Sequence, residues 1–296
     1  MIRVTESTVT ANYLSNVNQT RARIVQLQGQ LASGKRVNVS SDDPSAADTI
    51  LRLNGAIARS EQYEKNVTDG QSMVDTTGSS LNDFVNHLIE IKEILVRAKG
   101  GAEADVLKVH AERLDQILSE LVDTANTKFN GKYIFGGTNT TAQPFTLNAA
   151  RSAVTANPAG ITGTIEFQVG EGIKQTVNID GQEAFNGVQI FSLIIQIRDA
   201  MMNGQEPTPA QADALNTALD DVSNKVGKSG SMSANLTSIQ SRLLDQRIQL
   251  FGLLSQQQDT DIAEATLRLK HEEIMLDAAL NTGARIIPKS LLDYLP

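Results

Sequence analysis

The chain of 296 residues has no cysteine and no tryptophan. Without cysteine there is no disulfide, no thiol nucleophile and no thiolate-bound zinc. Aromatic residues make up 4%, as 4 Tyr and 8 Phe. A thick globular core leans on aromatic bulk, so this scarcity suits a thin helical bundle better. Positive charge is also short: 26 Lys and Arg face 34 Asp and Glu, a net charge of −8 with no basic run. Phosphate contacts need clustered Lys and Arg, so no nucleic acid is expected as a partner, and an anionic membrane surface is equally unsuited. The first residues, Met1 to Ser7, lack the charged-then-apolar layout of a cleaved secretory signal. No run of about 18 apolar residues could span a bilayer, and the cluster Ile190–Ile197 is short and holds Ser192 and Gln196. No membrane insertion is expected, which leaves the cytosol, or export by a route that reads no cleavable signal.

What the chain does have is apolar residues at helical spacing. In the last quarter, Leu236, Leu243 and Leu250 fall seven apart, with Ile239 and Leu253 on the neighbouring row. After the polar Gln256-Gln257-Gln258, a second series runs Ile262, Leu269, Leu276. Such rows predict a coiled-coil seam or a bundle face. A continuous helix from Ser233 to Ala284 would run about 75–80 Å, and a long helix with one apolar stripe needs a partner. The other end of the chain offers one: Val17, Ile24 and Leu31 sit seven apart, with Tyr13 and Leu27 on the next row. The economical expectation is that the two ends pair. Gly34 suits a left-handed cap after Ser33.

Between the ends, Asp43-Pro44 reads as a helix start, leading into the longest heptad row, Val67, Val74, Leu81, Leu88 and Leu95. Gly100-Gly101 breaks it. Leu107, Leu114 and Leu121 predict a further helix, ended at Asn130-Gly131. From Lys132 to about Asp180, Gly, Thr, Asn and β-branched residues dominate. Ile165, Phe167 and Val169, then Ile173, Val177 and Ile179, alternate with polar residues around Gly170-Glu171-Gly172, a hairpin signal. Asn157-Pro158 and Asp180-Gly181 read as turns. Helix returns at about Gly187–Asn203, and again from Pro209 through Leu215, Leu219, Val222 and Val226; Lys228-Ser229-Gly230-Ser231 reads as a loop. The expected fold is mainly α: an elongated antiparallel helical, coiled-coil rod formed by the N- and C-terminal arms, with a small β-rich inserted domain.

Sites for chemistry were sought at each motif. Gly29-x4-Gly34-Lys35 lacks the Ser or Thr after the lysine that a phosphate loop needs, and follows a helical heptad. Asp42-Asp43 sits where acids cap helices. Asp259, Asp261 and Glu264 lack the glycine and glutamate of a calcium loop. His87, His110 and His271 are isolated in sequence, without zinc spacing. No catalytic, metal or cofactor site is expected, and no enzyme.

The five-member row Val67–Leu95 is assigned to packing inside the bundle. The terminal stripes read differently, because a two-helix pair hides only about half of each surface and leaves Val25, Ala263, Ala279 and Leu280 partly bare. Exposed apolar patches of that kind mark interfaces. Val17, Ile24, Leu27, Leu31, Ile262, Leu269 and Leu276 are therefore the expected assembly surface.

Four stretches together resemble the bacterial flagellin superfamily. They are Ser33-Gly34-Lys35-Arg36-Val37-Asn38 with Ser41-Asp42-Asp43-Pro44-Ser45-Ala46-Ala47, then Asn130-Gly131-Lys132-Tyr133-Ile134-Phe135-Gly136-Gly137, then Asp259-Thr260-Asp261-Ile262-Ala263-Glu264-Ala265, and the closing Ser290-Leu291-Leu292-Asp293-Tyr294-Leu295. Pro44 departs from flagellin proper and points to a hook-associated branch. The resemblance implies a secreted structural subunit of the bacterial flagellum at the junction between hook and filament. Such a subunit is exported unfolded by the flagellar type III apparatus and closes into a ring of copies of itself. Its implied partners are an adjacent hook-associated protein, flagellin, and an export chaperone on the C-terminal region, about Gln258–Tyr294. The expected divisions are 1–43, an N-terminal polymerisation helix and connector; 44–137, the outgoing helices; 138–205, the β-rich insertion; 206–257, the returning helix; and 258–296, a C-terminal polymerisation helix. A flagellin and a cytosolic coiled-coil adaptor are the alternatives.

Overall fold

The computed structural model describes residues 6–100 and 103–286. Gly101, Pro288 and the closing Ser290–Leu295 stretch lie outside the described residues. The elements run α1 (Glu6–Ser33), α2 (Pro44–Arg97), α3 (Ala104–Ala125), β1 (Lys128–Phe129), β2 (Lys132–Tyr133), β3 (Phe145–Leu147), β4 (Val154–Ala156), β5 (Glu166–Gly170), β6 (Ile173–Thr176), α4 (Gly181–Phe185), α5 (Gln189–Met202), α6 (Pro209–Gln258) and α7 (Ile262–Ile286). The fold is mainly α, as expected, with three separate antiparallel two-stranded hairpins. The segment 138–205 holds β3 to β6 but also α4 and α5.

The chain forms two compact units, one from residues up to Arg59 and from Gln246 on, the other from Ser60 to Asp245. Helices α2 and α6 contribute to both.

In the second unit, α2 buries the whole row Val67, Val74, Leu81, Leu88 and Leu95. The residues between them on the exposed side are mostly polar, with Ile89 and Val96 the exposed apolar residues at its far end, so burial follows the heptad period. The larger core cluster gathers Leu81, Phe84, Leu88, Ile91 and Leu95 with Leu107, Leu114, Leu118 and Leu121 of α3, and with Phe185, Phe191, Ile194, Leu215 and Val222. Phe185 is its centre. Its ring lies between 4.6 and 5.9 Å from those of Phe84, Phe135, Phe145 and Phe191. Five of the 8 phenylalanines are thus concentrated at one place in the core. A second cluster places Val169 and Val177 of the β5–β6 region against Val67, Met73, Val74, Leu236, Ile239 and Leu243. Gly70 permits this approach, because a Cβ there would come within 2.9 Å of Val177.

The β3–β4 turn is tied down by charge. The buried Arg198 of α5 donates to Asp115 Oδ1 at 2.8 Å and to the Arg151 carbonyl at 2.6 Å, and the Arg151 guanidinium also reaches Asp115. Burial alone would push the Asp115 carboxyl up. The hydrogen bonds from Arg151 and Arg198 outweigh that and hold it below the usual carboxylate range.

Three local expectations are corrected. Helix α3 stops at Ala125, and Asn130-Gly131 is instead the turn of the β1–β2 hairpin, with φ of 49° and 77°. Asn-Gly tolerates two left-handed residues in succession, which a two-residue hairpin turn requires. Asp180 is a helix cap rather than a turn residue: its Oδ1 accepts the Glu183 amide at 2.8 Å and starts α4. Lys228-Ser229-Gly230-Ser231, read as a loop, lies inside the 50-residue helix α6. Each glycine there costs helix stability about 1 kcal/mol relative to alanine, so tertiary contacts hold this stretch helical.

Candidate assembly surface

In the first unit, α1 and α7 pack as an antiparallel pair. Three contacts set their register. Near one end, Tyr13 Oη donates to the Ala279 carbonyl at 3.0 Å, and its ring lies over Gly283, where a methyl group would overlap it. Midway, Arg23 Nε meets Glu272 Oε1 at 3.0 Å. At the other end, Arg36 N donates to the Gln258 carbonyl at 2.6 Å and Thr260 N to the Gly34 carbonyl at 2.9 Å. Side-chain packing along an apolar seam tolerates sliding by a turn; a polar contact inside it does not, because slippage would strand a buried group.

The connectors at this last end are built from caps. Gly34, at φ 71°, ends α1 in the left-handed region that favours glycine. Asp42 Oδ2 accepts the amides of Asn38 and Val39, each at 3.0 Å. Asp43 Oδ1 accepts the Ala46 amide at 3.0 Å while its Oδ2 meets Arg36 at 3.1 Å. That amide first, then the guanidinium, holds the Asp43 carboxyl below its usual range. Arg36 also donates to the Gln257 carbonyl at 3.0 Å, tying the connector to the end of α6. Asp261 Oδ1 caps α7 through the Ala263 and Glu264 amides at 2.9 and 3.0 Å. Of the acidic residues weighed as carboxylate pairs or calcium ligands, Asp42, Asp43 and Asp261 are therefore occupied with backbone amides, while Asp259 Oδ2 accepts the Ser255 hydroxyl at 2.6 Å and Glu264 pairs with Arg268.

The residues expected at the assembly surface divide into two groups. Val17 is buried, and Ile24, Leu27, Leu31, Leu269 and Leu276 are half-buried along the sides of α1 and α7 that also carry the register contacts. On α7 this side reads Ala265, Leu269, Glu272, Leu276, Ala279, Gly283, alternating steps of four and three. Ile262 is not in it and stands 62% exposed. The bare apolar surface is a different set. Leu267 and Ile274 are 73% and 59% exposed, seven apart, and fall on the opposite side of α7 from Ala265. Met275 and Leu280 are also exposed, as are Leu14 and Val25 of α1 and Ile248 and Phe251 of α6. Val25, Ala263, Ala279 and Leu280 were expected to stay partly bare; Val25, Ala263 and Leu280 are exposed and Ala279 is half-buried. The Leu267–Ile274 row escaped the sequence reading, although its seven-residue spacing is visible there. Ion pairs Arg268–Glu264 at 2.5 Å and Lys270–Glu273 at 3.2 Å accompany it.

A helix apolar on two opposite sides has one side for its own chain and a second for something else. The comparisons with known proteins bear on what that is. Residues 4–140 match the bacterial flagellin N-terminal helical region. That stretch, a little under half of the chain, is similar to flagellin. Flagellar hook-associated protein 3 of Salmonella typhimurium is 28% identical to this chain over 189 residues, 63% of this chain and 58% of that protein. Phase 1 flagellin of Salmonella naestved is 30% identical over 127 residues, 42% of this chain and 25% of that protein. The chain thus spans little more than half of the one relative and a quarter of the other. The crystal structure of FlgL from Bacillus cereus shares the fold, with a TM-score of 0.59 at 22% identity, covering 69% of this chain and 99% of that one. The named relatives are flagellar proteins rather than enzymes. Among the described residues no helix is long and apolar enough to cross a membrane.

Proposed function

We propose that this chain is a structural subunit of the bacterial flagellum, assembled at the junction between hook and filament. The observation that carries this reading is the second apolar side of α7, Leu267 and Ile274, left bare while Leu269 and Leu276 on the other side face α1. Similarity to a hook-associated protein over 189 residues, against 127 for a flagellin, favours a junction subunit over a filament subunit. The terminal segments 1–43 and 258–296 carry polymerisation. Copies of the chain close into a ring, with the exposed stripe buried against a neighbouring copy or an adjacent axial protein. Before assembly the chain leaves the cell through the flagellar type III apparatus. An export chaperone covers the C-terminal helix until then, since a bare stripe of this kind promotes association in water.

The test is Leu267→Asp with Ile274→Asp. Both side chains are exposed, so the α1–α7 pair keeps its circular dichroism and monomer stability, while motility falls at least tenfold and the chain disappears from sheared flagella. Restored motility in the double variant would overturn the assembly role of this stripe. Seeding purified chain with filament ends separates the two flagellar readings: a junction subunit adds and stops, a flagellin grows on. A cytosolic adaptor would be missing from sheared flagella altogether.

A further inference from the structure

We infer that the second unit contains a joint, a layer crossing both long helices at Asp75–Ser80 of α2 and Gly227–Ser233 of α6, where the unit opens or bends while the packed clusters on either side stay rigid. The two stretches are poor in helix formers in both helices at once. One reads Asp-Thr-Thr-Gly-Ser-Ser and the other Gly-Lys-Ser-Gly-Ser-Met-Ser. Ser, Thr and Asp compete for backbone hydrogen bonds, and glycine gains most from unfolding. They also face each other. Ser229 Oγ donates to the Val74 carbonyl at 2.9 Å, Ser233 Oγ donates to Asp75 Oδ1 at 2.8 Å, and a Cβ on Gly78 would lie 2.9 Å from Ser229 Oγ.

The core thins at the same layer. The buried row of α6 is Leu215, Val222, Ser229, Leu236, Leu243, seven apart, with a hydroxyl where the rest are apolar. Opposite it, the buried Thr77 and Ser80 interrupt the inner face of α2. The larger apolar cluster lies on one side of this layer and the Val67–Leu243 cluster on the other. Met232 and Phe129, both only partly buried, are packed against both. Burial of apolar surface is what keeps a helix of weak propensity folded, and here it is at its minimum. What remains is polar. Besides the two serine bonds, Glu183 of α4 meets Lys228 at 2.5 Å and Lys225 at 3.4 Å. Glu183 lies two residues from Phe185, so the clamp on α6 is anchored in the phenylalanine cluster. Local opening is expected where apolar contacts are few; of the holding bonds, Ser233–Asp75 and Lys228–Glu183 are exposed and only Ser229–Val74 is buried.

Amide hydrogen exchange on the full chain tests this, read as protection factors so that the fast intrinsic exchange of Gly and Ser is removed. Amides of 76–81 and 228–233 should be at least tenfold less protected than those of 84–95 and 236–243. Glu183→Gln should lower protection a further fivefold or more on the α6 side only. Gly227→Ala with Gly230→Ala, positions where a Cβ meets nothing within 4 Å, should raise protection of the layer severalfold. Even protection along α2 and α6 in the unaltered chain would overturn the joint. So would an alanine pair that leaves the layer unchanged. If Glu183→Gln loosens the whole unit, the comparison of the unaltered chain with the alanine pair still decides.

Discussion

Single residues here act mostly through what they permit. Gly283 has no side chain, and that gap receives the Tyr13 ring whose hydroxyl reaches Ala279. Its importance is steric, since it lies within α7. Gly283→Ala should therefore be destabilising by about 1–3 kcal/mol through overpacking, although alanine is the better helix former. Tyr13→Phe should cost only about 1 kcal/mol, the net value of one hydrogen bond. Urea unfolding followed by circular dichroism would compare them, and a stabilised Gly283→Ala would disprove the seating of Tyr13. Nothing in the sequence marks Gly283 out from Gly29, Gly227 or Gly252, where a Cβ would meet nothing. The distinction exists only once α1 and α7 are side by side.

At the scale of elements, the short hairpin β3–β4 has three residues per strand and cannot stand alone. Phe145 and Val154 bury one side of it, and the Asp115–Arg198–Arg151 contacts hold its turn. Because the Asp115 carboxyl is held below its usual range, the linkage has a definite sign. The contribution is present above the unfolded carboxylate value near 3.9, and is lost as pH falls through the lower folded value. Asp115→Asn should cost about 1.5–3 kcal/mol at pH 7, the worth of hydrogen bonds to a charged group. It should also flatten the loss of stability as pH falls below about 4. Urea midpoints measured across that range check both; equal acid slopes for the two proteins would remove Asp115 from the account. The helix elements teach a different lesson. Leu215 with Val222 and Leu236 with Leu243 were legible as two separate helical series, but Lys228-Ser229-Gly230-Ser231 between them pointed to a loop, and that Ser229 continues the same row appeared only in the structure. Local propensity lost to packing on both flanks. Asn130-Gly131 was misread for the opposite reason: a hairpin signal was present, but the strands it joins are only two residues each and carry no alternation.

At the scale of the whole molecule, the two units differ in how much they bury. The second holds the phenylalanine cluster and nearly all fully buried side chains; the first relies on Val17, Val37, Ala46, Ile50, Ile57 and Ala265 with half-buried neighbours. Apolar burial is the main favourable term in folding, so unfolding should occur in two steps, the first unit at the lower temperature. Phe185→Ala removes the hub of the cluster and should lower only the upper step, by about 3–5 kcal/mol. Scanning calorimetry of the full chain would show this, and a single transition shifted as a whole would contradict it. A weakly held first unit is in keeping with the assembly role proposed for the terminal helices.

By itself the sequence determined the periodicities: the heptads of α2 and α3, the hairpin at Gly170–Gly172, the capping acid at Asp43, and the matching stripes that pair the two ends. These are local, because a helix or hairpin records its buried side in the spacing of a few residues. Only the tertiary structure decided which apolar residues were already spent on the chain itself. Leu269 and Leu267 look alike in sequence, two places apart on one helix; one is half-buried and the other bare because α1 lies along one side of α7. Spacing tells how many sides a helix has to cover, and only packing tells which of them remain uncovered.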